Sequence, residues 1–270
     1  MNVFVPYFPF FTDFETLRSP GVLQRIGIVC FISSVLYLHF NWKILVTFAF
    51  SILILYWFFL GFVSFSDGSL PTFDRATNNW ANAIDKYILG NHMWQKDYDP
   101  EGIISTIPAI ATCLFGIFIG KVLDFMHNSK TLLFVSLGFL TLGYILHLWF
   151  PINKAIWSSS FVLVTGGWAT LILFIIYFLR DEKNLKFGNI FKYIGMNAIT
   201  IYFLSSFISK VFYLTKVNES HNIHSFLYDK IFVHSFFSSE FSSFLYAFSV
   251  VFFYSLLGYF LYRKKIFIKV

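Results

Sequence analysis

Charge is what this 270-residue chain has least of: Asp, Glu, Lys and Arg make up 13% of it, about half the share of a water-soluble domain. With 57% of its residues hydrophobic, the chain could not stay disordered in water and must fold in lipid. Cysteine is also scarce. Cys30 and Cys113 both fall inside apolar runs, which excludes a disulfide framework and a thiol metal site. Seven prolines and fifteen glycines exclude a collagenous or low-complexity polymer. The formal charge of +6 has no polar domain to present it, so nucleic acid is excluded as a partner and the charge reads as a topology signal. A secretory signal is missing, because prolines, Asp13, Glu15 and Arg18 occupy the first twenty residues without a basic flank before an apolar core. No P-loop, dinucleotide fingerprint, His-Glu-x-x-His zinc motif or nucleophilic serine elbow occurs. His92, His127, His221, His224 and His234 lie in loops without a convincing metal-site spacing, so no metal is expected.

What is present is a succession of long apolar runs. A helix needs about 20 mostly apolar residues to cross the hydrocarbon core. Seven stretches meet that length: Gly21–Phe40, Lys43–Val63, Gly102–Lys121, Lys130–Phe150, Ile156–Leu179, Gly188–Tyr213 and Phe241–Tyr262. They predict an all-α, polytopic transmembrane bundle of about seven spans in the lipid bilayer, with the 39 phenylalanines filling lipid-facing positions. Polar stretches separate some spans, chiefly Ser64–Glu101 and Leu214–Glu240. Lys121, Lys130, Arg180, Lys183, Lys186 and the cluster Arg263-Lys264-Lys265 gather on one side, and the positive-inside rule makes that side, with the C-terminus, cytoplasmic. Counting seven spans backward puts Met1 and residues 13–18 on the far side without a signal to export them, so further spans upstream are expected.

Few residues in this frame carry chemistry. Arg25 is the one full charge well inside a predicted span, either snorkelling or paired, and Glu101 is the expected partner. Asp97-Tyr-Asp-Pro-Glu-Gly102 sets three acids before the third span. Asp99 and Glu101 there either cap the helix or form a polar mouth for a sugar hydroxyl or amine. Asn197, near mid-membrane, needs partners from neighbouring helices or a ligand. Ser158, Ser159, Ser160, Thr165, Gly166 and Gly167 read as helix-packing positions.

Five collinear stretches then carry a resemblance: Ser19-Pro-Gly-Val-Leu-Gln-Arg-Ile-Gly27, Tyr98-Asp-Pro-Glu-Gly-Ile-Ile-Ser-Thr106, Phe150-Pro-Ile-Asn-Lys-Ala-Ile-Trp-Ser158, Gly195-Met-Asn-Ala198 and Leu261-Tyr-Arg-Lys-Lys-Ile-Phe267. The chain resembles the heparan-alpha-glucosaminide N-acetyltransferase family, which has bacterial relatives acting on amino sugars. The resemblance implies a bacterial inner-membrane enzyme with one acyltransferase-like domain over residues 1–270. Such an enzyme moves acetyl from cytosolic acetyl-CoA to a glucosamine-type amine across the membrane. By the same resemblance Arg25, Asp99, Glu101, Asn153, Lys154 and Asn197 fall in matching motifs, Arg25 bracing Glu101 and Asn197 lining a central passage. Lys121 and Lys264 are candidates for the CoA phosphates, or ordinary positive-inside anchors. The family's base or acyl carrier is a histidine in a His-x-x-Trp-x-Gly pattern upstream of the Arg25 stretch. This sequence lacks that pattern, and His92, two residues before Trp94, lies in the wrong loop. The expectation is a C-terminal portion, inactive alone and completed by a separately encoded N-terminal fragment. A non-catalytic scaffold or solute passage is the alternative.

Overall fold

The computed structural model describes residues 15–126, 129–234 and 236–268; Met1, Asp13 and His127 lie outside the described residues. The chain is all-α, with helices α1 (Val22–His39), α2 (Trp42–Phe62), α3 (Trp80–Leu89), α4 (Ile103–Met126), α5 (Ser129–His147), α6 (Ser159–Tyr177), α7 (Asn189–Gly195), α8 (Ala198–Leu214), α9 (Ile223–Leu227) and α10 (Ser239–Arg263). Among the described residues, α1, α2, α4, α5, α6 with its extension to Glu182, and α10 are long and apolar enough to cross a membrane. The pair α7 and α8, bent by 75°, makes a seventh if counted as one span. The chain is therefore an integral, multi-pass membrane protein. Its helices expose large apolar side chains such as Phe31, Leu38, Leu55, Phe58 and Phe134, the pattern of helices whose outer solvent is lipid.

Residues 15–185 and 186–268 fold as two compact units. In the first, α2 packs on α4 and α5 on α6, around a core of Leu45, Ala49, Leu53, Leu114, Phe115, Phe139 and Val162. The α5–α6 contact depends on glycine. A Cβ on Gly143 would stand 2.9 Å from the Val164 nitrogen, and one on Gly167 would stand 2.9 Å from the Leu140 nitrogen, so the two backbones meet where side chains are missing. Gly166, read from sequence as equivalent, has only an ordinary 3.6 Å distance to Phe139.

A second core of Tyr56, Leu60, Ala81, Phe150 and Ile156 joins the ends of the spans to α3. The stretch Ser64–Glu101 is thus more than a polar connection. Asn79 caps α3 by accepting from the Ala81 and Asn82 amides, and the indole of Trp80 donates to the Val63 carbonyl at 2.7 Å, docking α3 onto the end of α2. The expected spans from Gly102 and Ile156 begin instead at Ile103 and Ser159. Residues 156–158 are used by the preceding turn, where Trp157 has φ +52° and Ser158 caps α6 through the Phe161 amide.

In the second unit the expected span Gly188–Tyr213 is broken at Met196 and Asn197. α7 crosses α10 at Gly258, where a Cβ would come within 3.3 Å of the Ile194 Cα. Tyr193 lies against Tyr262, with ring centroids 4.5 Å apart.

Candidate functional site

The polar residues of the first unit converge where α1 and α4 begin. Arg25, 7% exposed, sits one turn into α1. Its Nη1 donates to the Pro100 carbonyl at 2.9 Å and its Nη2 to the Ser105 carbonyl, while the guanidinium lies 4.1 Å from the centre of the Trp157 ring. Desolvated cations over indole are among the stronger side-chain contacts, about 2 kcal/mol or more. Trp157 is held there by its indole N–H, which donates to Thr112 at 3.1 Å. The stretches around Arg25, Pro100 and Trp157, far apart in sequence, are therefore one contact cluster.

The expected Arg25–Glu101 hydrogen-bonded pair is not what forms. Glu101 accepts from Arg18, which also forks across Asp99 at 2.8 and 2.6 Å. Arg18 precedes α1 and approaches from the partly exposed side, so it reaches both carboxylates, while Arg25, anchored on the helix, reaches the Pro100 and Ser105 carbonyls near the α4 start. Burial works against the charge of Arg18, yet the hydrogen bonds and charges of Asp99 and Glu101 outweigh it and hold the pKa above its usual value. Asp99 accepts two further bonds, from the Trp94 and Glu101 amides at 2.8 and 2.9 Å. With two donors on each oxygen it is saturated.

Asp99 and Glu101 do not cap α4 either. The cap is Asp85, from the middle of α3, whose Oδ1 accepts from the Ile103 and Ile104 amides at 2.9 and 3.2 Å. Gly102 makes room: a Cβ there would lie 1.7 Å from Asp85 Oδ2. Burial pushes the Asp85 carboxyl up to about 6, against the pull of the two amides; Asp99 adds to the rise and Arg25 opposes it. Asp85 was not singled out in the sequence. The Asn79 cap six residues earlier, with Trp80 and Ala81, was the available signal for a short docked helix carrying an acid. Beside the cluster lies a cavity of about 250 Å³ lined in part by Arg25, Glu101, Ile103 and Thr106. His92, whose ring Nδ1 lies 2.8 Å from the Leu17 carbonyl, braces the neighbouring loop.

No family model matches the chain. Among curated proteins it is similar to the heparan-alpha-glucosaminide N-acetyltransferase of Mus musculus, 28% identical over 70% of this chain and 37% of the relative. It is similar too to that of Homo sapiens, 27% identical over 78% of this chain and 41% of the relative. Over most of its length the chain is similar to heparan-alpha-glucosaminide N-acetyltransferases. It spans less than half the length of these curated relatives.

The remaining family-like stretches have clear local roles. Asn153 organises the α5–α6 turn: its Oδ1 accepts from the Ala155 amide at 2.8 Å, and its own amide donates to Ser158 Oγ at 3.0 Å. Lys154 in the same turn is exposed. Asn197 is 1% exposed. Its Nδ2 donates to the Ile266 carbonyl and its Oδ1 accepts from the Ile268 amide, each at 3.1 Å, so the break between α7 and α8 latches the segment after α10. The family-like stretches at Gly195 and Leu261 are thereby a second contact cluster, within the second unit. Lys121 lies 5.3 Å from the Tyr37 ring, beside a cavity of about 260 Å³ that Trp42, Phe118 and Phe125 also line. Lys264 lies 5.9 Å from the Phe260 ring.

Proposed function

We propose that this chain is part of a membrane acetyltransferase that moves acetyl from cytosolic acetyl-CoA to the amine of a glucosamine-type sugar across the membrane. The two units then serve one acyltransferase-like domain, and the C-terminus is cytoplasmic. The observation that carries this reading is the folding of three distant family-like stretches into one buried cluster around Arg25 and Asp99, next to a cavity. Such a cluster would be an expensive feature to keep in a helical bundle that only filled lipid.

In the reaction the amine nitrogen bonds to the acetyl carbonyl carbon, the C–S bond of the thioester breaks, and the amine proton leaves through a base. Donors steady the intermediate oxyanion. The described cluster offers guanidinium, carboxylate and hydroxyl groups and no histidine placed as a base. We infer that the catalytic histidine comes from sequence outside these 270 residues and that Arg25, Asp99 and Glu101 shape and brace the acceptor side. Lys121, with a cavity at its side, is the better of the two candidates for a CoA phosphate.

The test is acetylation of glucosamine by radiolabelled acetyl-CoA in membranes holding this chain, with and without a co-expressed family N-terminal segment carrying His-x-x-Trp-x-Gly. Acetylation only with the added segment is expected, and activity of the purified chain alone refutes the dependence. No activity in either preparation, with the chain present and folded, selects the alternative of a non-catalytic scaffold, which the saturation of Asp99 favours.

A further inference from the structure

One end of the second unit carries cations and no acids. Residues 186–218 and 241–268 contain neither Asp nor Glu, and Lys192, Arg263, Lys264 and Lys265, all exposed, gather where α7 lies against the end of α10. Tyrosines interleave them. Lys192 Nζ lies 5.7 Å from the centre of the Tyr262 ring, and the Arg263 guanidinium lies 5.8 Å from that of Tyr259, whose hydroxyl accepts from Arg263 Nη1 at 3.1 Å. Tyr193 contacts both rings, at centroid distances of 5.3 Å to Tyr259 and 4.5 Å to Tyr262. The cluster is held in place from two directions: Gly258 lets α10 approach Ile194, and Asn197 binds the backbone of residues 266 and 268.

Lys265 stands where helix chemistry favours another residue. Its amide donates to the Tyr262 carbonyl and the Ile266 amide to the Leu261 carbonyl, each at 3.0 Å, the pair of bonds that closes a helix on a left-handed residue, usually Gly or Asn. Here a lysine takes that position at φ +55°, an outlier that points to a function of its side chain. Depth is a separate observation. α10 is 25 residues long, which at ~1.5 Å per residue exceeds a ~30 Å hydrocarbon core, so a spanning α10 carries residues 263–265 into the headgroup layer. α7 is turned 75° from α8 and exposes Ile190, at 46%, and Phe191, at 74%, beside Lys192. Exposed apolar side chains next to cations are the surface of a helix lying at the membrane interface.

We propose that this end of the second unit is a binding site for the headgroup of an anionic phospholipid, with Lys192, Arg263, Lys264 and Lys265 supplying the cations and Ile190 and Phe191 entering the acyl boundary beside it. Orientation by charge needs only cations near the end of a span. It requires neither a lysine at a left-handed position nor an apolar neighbour. A free phosphate would gain the charge contacts and not the apolar one, so a lipid of the surrounding leaflet is the occupant. The site gives Lys264 a part other than a CoA phosphate and does not depend on the acetyltransferase reading.

The test equilibrates the purified chain in detergent with dioleoyl phosphatidylglycerol and dioleoyl phosphatidylcholine and counts the retained lipid by native mass spectrometry, with the melting temperature measured on the same samples. Saturable retention of phosphatidylglycerol over phosphatidylcholine is expected. A cation near an anionic surface is worth about fivefold in affinity. Lys192→Gln and Lys264→Gln are therefore each expected to weaken phosphatidylglycerol binding by about that factor at unchanged melting temperature. Lys230→Gln, in the segment before α10, is expected to leave it unaltered. Lys265→Gly separates a lipid contact from a helix-end role: binding is expected to weaken while the melting temperature holds or rises, because glycine accepts the left-handed backbone. Inorganic phosphate and CoA, at the same concentration as the lipid, are expected not to displace it. Equal retention of the two lipids, a loss in Lys230→Gln as large as in Lys264→Gln, or displacement by phosphate or CoA overturns the proposal. So does a Lys265→Gly chain that melts lower and binds lipid as before.

Discussion

Asp85, 3% exposed, supplies the acceptor for two amides of the first turn of α4, so its loss and its ionisation have different consequences. Asp85→Ala leaves the Ile103 and Ile104 N–H groups without that acceptor, which costs about 1 to 3 kcal/mol. Gly102→Ala should act in the same direction by expelling the carboxylate from its seat. Ionisation works through burial. Because the folded pKa of about 6 lies above the ordinary 3.8, protonation favours the folded state. Asp85 therefore contributes its stability most fully below pH 3.8, and this contribution is lost as pH rises through about 6. Asp85→Asn keeps an acceptor and removes the titration. The expected result is that the variant's melting temperature relative to the native chain falls as pH drops from 7 to 5. A parallel pH dependence in both proteins would mean that another group titrates.

At the scale of elements, two helix contacts depend on what one residue allows. α5 and α6 touch backbone to backbone through Gly143 and Gly167, and Gly167→Ala must push Leu140 aside, an overpacking worth about 1 to 3 kcal/mol. Gly166→Ala has room, and the expected outcome is a clear drop in melting temperature for the first and little change for the second. The bend between α7 and α8 is the other case. Asn197 leaves the helical path and spends its amide on the backbone of the segment after α10. Asn197→Leu keeps the apolar burial and removes both bonds. Hydrogen exchange of the amides at 265–268 is then expected to accelerate, with exchange in α4 unchanged. Apolar run lengths announced most of these helices in the sequence, but not the break: a run such as Gly188–Tyr213 has the same composition whether the helix is straight or turned by 75°.

For the whole molecule, the number of crossings follows from the bent pair. If α7 and α8 together cross once, the loop after α2 and the tail after α10 are separated by five crossings and lie on opposite sides of the membrane; if they do not cross, four crossings put both on the same side. In a chain with Cys30 and Cys113 replaced by serine, single cysteines at exposed Ser66 and Lys264 report which holds. The positive-inside reading predicts labelling of Ser66→Cys from outside intact cells and of Lys264→Cys only after permeabilisation. Labelling of both from the same side selects six crossings.

The sequence by itself determined the solvent and the helices. Charge is too sparse and apolar runs are too long for any structure that must satisfy its backbone in water, and run length alone fixes where a helix can span lipid. The polar residues of the two contact clusters were legible too, because Arg25, Asp99 and Glu101 in the first and Asn197 in the second are polar where polarity is costly. Their partners were decided only by the tertiary structure. Which carboxylate meets which guanidinium depends on the direction of approach: Arg18 reaches Glu101 from before α1, while Arg25 is fixed on the helix beneath Trp157. The α4 cap is supplied by Asp85 from another helix, and Asn197 closes on the tail residues near 266. Such pairings join positions tens of residues apart, and spacing along the chain has no term for them.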